Sequence, residues 1–486
     1  MLSSFRPSAR LAPLLALFLA ACGGRGASDV LLRIRPPSPH ERYAESLRDA
    51  GLAGTALGRD WLAAASRALA EPLPAALPYR ETGYFSASEA SAVALRVRPR
   101  RGERLTVQVE PAPGTVPFAL FVDLFEVRAA DSAGQAGAPS TPPPSPSTPP
   151  RRVASADSGR SALEYDVDED GVAYVVRVQP ELLRGGRYTL TIAAGPSLAF
   201  PVSGKGRAAV QSFFGVGRDA GRRRHEGVDI FAARGTPVLA ASDGIVANAG
   251  TTPLGGKVVW VRDLGRRQSL YYAHLDSQIV RPGQRVRVGD TLGLVGNSGN
   301  ARTTPPHLHF GVYARGRGAV DPFPYIDPRR EELPRLTADT GALGAVRRVA
   351  ARRGAPLRLA AGVTAALRLT LPEETVLRVD GAAGGFYRVR LPDGTAGYVA
   401  AAQTERADRG ATLAASRLVP RSPPPPAGGS RTAAASAVAL RERPDPTAAV
   451  VDSVGARAPL EVLGRYGGYV LVRTGENREG WVAGTR

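Results

Sequence analysis

The sequence predicts a mainly β, multidomain protein with a short helical segment near its N-terminus. The first observation is length: 486 residues exceed what one hydrophobic core supports, so several domains are expected. The second is alternation of apolar and polar residues, as in Leu105-Thr106-Val107-Gln108-Val109 and Tyr188-Thr189-Leu190-Thr191-Ile192, the period of a half-buried strand. The third is an internal repeat near the C-terminus. Gly385-Phe386-Tyr387-Arg388-Val389-Arg390 recurs as Gly468-Tyr469-Val470-Leu471-Val472-Arg473, and Gly397-Tyr398-Val399 as Gly480-Trp481-Val482, both at an offset of 83 residues.

Taken in order, the chain opens with Arg6 and Arg10 before an apolar run, Leu11 to Ala21, too short to span a bilayer as a helix. Residues 1–21 read as a lipoprotein signal peptide, because Leu19-Ala20-Ala21-Cys22-Gly23 resembles a bacterial lipobox. The resemblance implies cleavage before Cys22, lipidation of that residue and a membrane anchor. Cys22 is the single cysteine, so no intrachain disulfide can form. Glycine after the cysteine points to the outer membrane of a two-membrane envelope, facing the periplasm. Lys and Arg number 63 against 44 Asp and Glu, a formal charge of +19, which suits an anionic surface or wall polymer. No nucleic-acid motif accompanies that charge, and nucleic acid is set aside as a partner.

Residues 22–39 form a Pro- and Arg-rich tether. Residues 40–77 carry apolar spacings of three and four (Tyr43, Leu47; Leu62, Ala65, Leu69), which predict a helical hairpin. His40 is read there as a solvated residue. From 78 to 202 the alternating segments predict a β-sandwich, acting as a spacer or wall-binding module, interrupted by a disordered Pro-rich insertion at 129–160.

Four of the five histidines lie in three short segments downstream. His307 and His309 flank Leu308 in an apolar strand, and side chains two apart share a strand face. His225-Glu226-Gly227-Val228-Asp229 offers a nitrogen and a carboxylate, and His274 follows the strand-like Tyr271-Tyr272-Ala273. Histidines and an aspartate converging on one cleft are a zinc constellation. HxGxD, YAHL and PHLHF in this order resemble the lysostaphin, or LytM-type, zinc metallo-endopeptidases over Val210 to Val320, together with Phe214-Gly215 and the glycines from Gly235 to Gly299. The resemblance implies an antiparallel β peptidase domain, placed at 203–330, with Zn2+ held by His225, Asp229 and His309. It implies His307 as general base and His274 as oxyanion stabiliser, with a ligand role for either as the alternative. Glu226 follows a ligand as the base of an HExxH motif does, but Asp229 makes the spacing HExxD, so a lining or solvated role fits better. Tyr271, Tyr272, Arg224 and Asn297 are candidates for the cleft lining. Arg222 and Arg223 either meet substrate carboxylates or belong to a solvated loop. Many family members place an acidic residue where this chain has Gly311.

The repeated units, at 341–405 and 433–486 and separated by a Pro-rich linker at 406–432, resemble bacterial SH3 domains. That resemblance implies two small barrels that bind wall or envelope protein partners, or serve only as structure. The resulting expectation is a lipid-anchored, zinc-dependent endopeptidase cleaving peptide cross-links of peptidoglycan. The competing expectation is a non-catalytic scaffold that activates a cell-wall amidase; a purely structural zinc site would not need the two further histidines.

Overall fold

The computed structural model describes residues 35–113, 118–128, 149–157, 161–218, 221–329, 331–407, 431–433 and 437–484. The signal segment, Cys22, the tether up to residue 34, and residues 129–148 and 408–430 of the insertion and linker lie outside the described residues. Among the described residues no helix is long and apolar enough to cross a membrane. The chain is mainly β.

The body of the protein begins at Pro39 with α1 (Pro39–Asp49), followed by α2 (Ala56–Ala70), whose first turn is capped by the Thr55 hydroxyl accepting from Gly58 N at 3.1 Å. Both helices lie on the outer face of a sandwich sheet, burying Ala44, Leu47 and Trp61 against Phe121. This covering explains why the central strands of that sheet are buried along nearly their whole length instead of alternating. His40 is a correction to the sequence reading. It is only 6% exposed, stacks on Trp61 at 4.7 Å, and its Nε2 lies 2.8 Å from Gln179 Oε1. Gln179 Nε2 donates to Trp61 O at 2.9 Å, so the imidazole is part of the helix-to-sheet seam.

The sandwich packs two sheets over one core that includes Leu95, Leu105, Leu124, Tyr174 and Leu190. One sheet contains β1 (Tyr79–Phe85); the other contains β2 (Leu120–Val127), β3 (Arg151–Ser155) and β4 (Ala173–Pro180). Strand β3 corrects the expected insertion of 129–160. Residues 151–155 pair antiparallel with β2, and Val153 enters the core. Proline-rich composition obscured five residues whose own alternation is that of an edge strand.

The next unit is a ten-stranded, mostly antiparallel sheet. Its centre runs β5 (Val228–Phe231), β6 (Gly256–Asp263), β7 (Gln268–Gln278) and β8 (His307–Ala314), in spatial order β5-β8-β7-β6. Val228, Ile230, Val259, Val261, Leu270, Tyr272, Leu308, Phe310 and Val312 line its core face, leaving the alternate positions on the opposite face.

Two small β units follow. The first includes β9 (Val376–Ala383) and β10 (Phe386–Arg390) and is joined to the sandwich through β1, with Thr82 opposite Ala382 and Gly83 opposite Gly381. At this joint a fully buried Glu81 accepts from Arg388 Nε and Nη2 at 2.9 Å each and from Tyr79 Oη at 2.6 Å. A buried carboxylate paired and hydrogen-bonded in this way makes removal of either partner costly. The second unit docks on the first through Val376, Leu463, Leu471 and Trp481. The sequence repeat is therefore a repeat of structure, but the first copy is built into the sandwich sheet.

Candidate functional site

Strand register gathers the site. Asp229 on β5 stands directly opposite His309 on β8, and Ala273 on β7 is opposite His309 from the other side. His225 enters from the loop before β5. His225 Nε2, His309 Nδ1 and Asp229 Oδ1 form a triangle with all three edges 3.0 Å. An ion held tetrahedrally at about 2.1 Å from each ligand sets ligand atoms roughly 3.4 Å apart, so two nitrogens and a carboxylate oxygen 3.0 Å apart are of the right kind for zinc and would open by about 0.4 Å around it. No other grouping of this kind occurs among the described residues.

Two of the three candidate ligands, His225 and Asp229, are held from behind. His225 Nδ1 donates to Phe213 O at 2.9 Å, which directs Nε2 into the triangle. Asp229 Oδ2, the oxygen outside the triangle, accepts from Arg218 Nη2 at 2.6 Å, and the same nitrogen donates to Ser212 Oγ at 2.7 Å. Burial works to raise the Asp229 pKa, but hydrogen bonds and charge from His225 and His309 outweigh it and hold the carboxyl far below its usual range. Burial lowers the His309 pKa, with Asp229 opposing. Gly227 is fixed by a close approach: a Cβ there would lie 2.5 Å from Phe310 O and 2.7 Å from His309 Cε1 and Nε2.

His307 stands beside the triangle, its Nε2 4.0 Å from Asp229 Oδ1. Its Nδ1 donates to Pro305 O at 2.9 Å, leaving the Nε2 lone pair toward the site, and Phe231 stacks on its ring at 5.0 Å. His274 arrives by a bulge in β7, with φ of +62°, and its ring lies 5.0 Å from that of His307. Its Nδ1 donates to Ser298 O at 2.9 Å. Burial first, then the charges of His307 and His309, lower its pKa to about 4. A neutral His274 with its proton on Nδ1 presents Nε2 as an acceptor, so donation to an oxyanion requires a second proton there.

The candidate lining residues divide. Tyr271 lies on the site face, its ring 5.8 Å from that of His309. Tyr272 is a correction: it is fully buried in the opposite face, where its hydroxyl accepts from Ala241 N at 2.9 Å. Arg224 is exposed on a two-stranded hairpin whose other strand carries Arg218. Asn297 turns inward to its own loop, its Nδ2 3.3 Å from Arg302 O, and its Oδ1 accepts from Arg234. Sequence reasoning missed Arg218, Trp260 and Tyr313. Arg218 carried no signal beyond its position shortly before the first ligand. The two aromatics could have been found from the face they share with His309 once β6, β7 and β8 are aligned.

Comparison with known proteins matches residues 223–322 to the Peptidase family M23 model and residues 436–485 to the Bacterial SH3 domain model. The L-Ala–D-Glu endopeptidase of Bacillus subtilis is 37% identical over 139 residues, covering 26% of this chain and 42% of that protein. The peptidoglycan DD-endopeptidase ShyC of Vibrio cholerae is 34% identical over 119 residues, covering 24% of this chain and 25% of that protein. Among solved structures, the catalytic domain of lysostaphin from Staphylococcus simulans shares 32% identity over 24% of this chain and 87% of that domain, with a TM-score of 0.22. The chain thus spans between a quarter and about two fifths of the length of those two curated relatives.

Proposed function

From the M23 peptidase domain and the bacterial SH3 domain that this chain carries, we propose that it is a zinc-dependent endopeptidase hydrolysing peptide cross-links of peptidoglycan in the cell envelope. The observation that carries the reading is the triangle of His225, Asp229 and His309, with two further histidines aimed at its open side by backbone carbonyls. A zinc ion held by those three residues supplies Lewis acidity that makes water nucleophilic near neutral pH and polarises a peptide carbonyl.

The protein's own residues do the remaining work. His307 Nε2 accepts a proton from the attacking water, and the resulting imidazolium is steadied by the Pro305 carbonyl at Nδ1. His274 takes up a proton from solvent at Nε2 and faces the developing oxyanion with that N–H, which it keeps, while the proton that His307 took from the water passes to the leaving amine. Arg218 holds Asp229 so that one oxygen stays in the triangle. The barrels would hold the wall. Lipidation at Cys22 and outer-membrane placement facing the periplasm belong to the same proposal, supported by Leu19-Ala20-Ala21-Cys22-Gly23.

The test is incubation of the zinc-loaded protein with purified sacculi, with mass spectrometry of released fragments. Chelator-sensitive release of peptides cut within cross-links is expected. Intact sacculi, together with stimulation of an added amidase, would instead support the scaffold reading.

A further inference from the structure

We propose that the sheet face beside the metal ligands carries a subsite for a primary ammonium group of the substrate peptide, built from Trp260, Tyr271, Tyr313 and Glu226. This rests on the hydrolase reading and names the chemistry that the substrate presents next to the cleaved bond.

Asp229, His309 and Ala273 form one row across β5, β8 and β7. The next row along the same face is Gly311, Tyr271 and Trp260, displaced by two residues, about 7 Å. Trp260 lies 4.4 Å from Tyr271 and 4.9 Å from Tyr313, ring to ring, and Tyr271 and Tyr313 meet edge to face at 6.2 Å. All three rings are half-buried, so each keeps part of its surface open to solvent. Gly311 gives the cluster room, because a Cβ at that position would stand 3.0 Å from Tyr313 Cε2 and press its ring back by a few tenths of an ångström. Tyr313 then reaches Glu226, whose Oε2 accepts its hydroxyl at 3.1 Å.

Aromatic faces are electron-rich and attract ammonium groups, most strongly at tryptophan. Glu226 adds an exposed carboxylate at the edge of the same surface, a local exception in a chain of formal charge +19. A neutral sugar would stack on the rings and hydrogen-bond the carboxylate but gain no charge attraction from either, and a substrate carboxylate would be repelled by Glu226. The fitting occupant is a diamino-acid side chain with a free amine, carried one or two residues from the scissile bond, since an extended peptide advances about 3.3 Å per residue.

The experiment uses the full zinc-loaded chain and two synthetic cross-linked stem peptides that differ only in acetylation of the free amine. Acetylation should lower kcat/KM roughly tenfold in the wild type, and Glu226→Gln should cut that ratio to about threefold, the share left to the rings. Binding is followed separately by the ligand-dependent change in tryptophan fluorescence, which is assigned to Trp260 because Trp61 and Trp481, each only 1% exposed, emit but cannot touch the ligand. Amine-dependent quenching without hydrolysis of either peptide would sink the hydrolase reading and leave the subsite standing. Equal cleavage and equal quenching with both peptides, or discrimination unchanged in Glu226→Gln, would overturn the subsite. Quenching by a third probe, the acetylated peptide carrying its sugar, with none by the free-amine peptide, would also overturn it, in favour of a sugar-stacking surface.

Discussion

Gly227→Ala tests whether the metal triangle depends on main-chain proximity. The new methyl would sit 2.7 Å from two atoms of the His309 ring and 2.5 Å from the Phe310 carbonyl. Ordinary contact needs about 3.4 Å or more, so the ring or the strand must retreat by roughly 0.7–0.9 Å. Metal–ligand distances tolerate only about 0.2 Å, so the displaced His309 Nδ1 no longer closes the triangle well. Zinc affinity should fall about 10- to 100-fold, the usual effect of disturbing a ligand's support. The metal-free protein should lose about 1–3 kcal/mol from overpacking, clearly less than unfolding requires. Competition with a chromophoric chelator gives the affinity, and thermal melts in chelator give the stability. Zinc affinity within twofold of wild type in a folded Gly227→Ala protein would refute the placement of His309 as a ligand under this contact.

His309→Ala should abolish stoichiometric zinc binding by elemental analysis, whereas His307→Ala and His274→Ala should keep zinc while kcat falls by about a hundredfold or more. Gln at position 274 can donate a hydrogen bond and should recover part of the rate; Gln at position 307 supplies no base, and equal recovery there would exchange the roles. Burial first, and then the charge of Arg177, lowers the pKa of His40 to about 4, so the folded state disfavours a proton that the unfolded chain accepts near 6.5. Stability from this site is therefore complete above pH 6.5 and lost as pH falls toward 4, by at most about 3 kcal/mol. The Tm gap between wild type and His40→Phe should shift against the wild type over that range, and parallel pH curves would contradict it. Cys22→Ser should release the protein from membranes and end acyl labelling; unchanged labelling would remove the anchor from the proposal.

The parts of the site that could be read from the sequence were those coded by short spacing. His307 and His309 two apart on a strand, and His225 and Asp229 four apart across a turn, needed no knowledge of distant contacts. Tyr272 illustrates why the rest was harder. Simple alternation puts Tyr272 on the face of His274, but the left-handed kink at His274 inserts one residue and changes the phase of β7. Tyr271 therefore shares the site face, and Tyr272 enters the core. His40 was misread because its partners, Gln179 and Phe121, come from strands far along the chain. Arg218 is invisible for a related reason: only the fold brings its guanidinium to the outer oxygen of Asp229. The sandwich was legible from its alternating strands, whereas its continuation into the first small β unit depends on one edge pairing, β1 with β9, that no local pattern announces.

The opposition of Asp229 and His309 across neighbouring strands has a consequence for biogenesis. A slip of one residue between β5 and β8 would set Asp229 against Leu308 or Phe310 and turn the imidazole toward the core. Metal uptake is then possible only for chains whose central sheet has paired correctly. Binding free energy from a proposed ion would be withheld from every misaligned sheet and added to the native one. With zinc bound as proposed, the centre would act as a checkpoint on assembly: a chain that captured the ion would, by that act, have passed an inspection of its strand alignment before meeting any substrate.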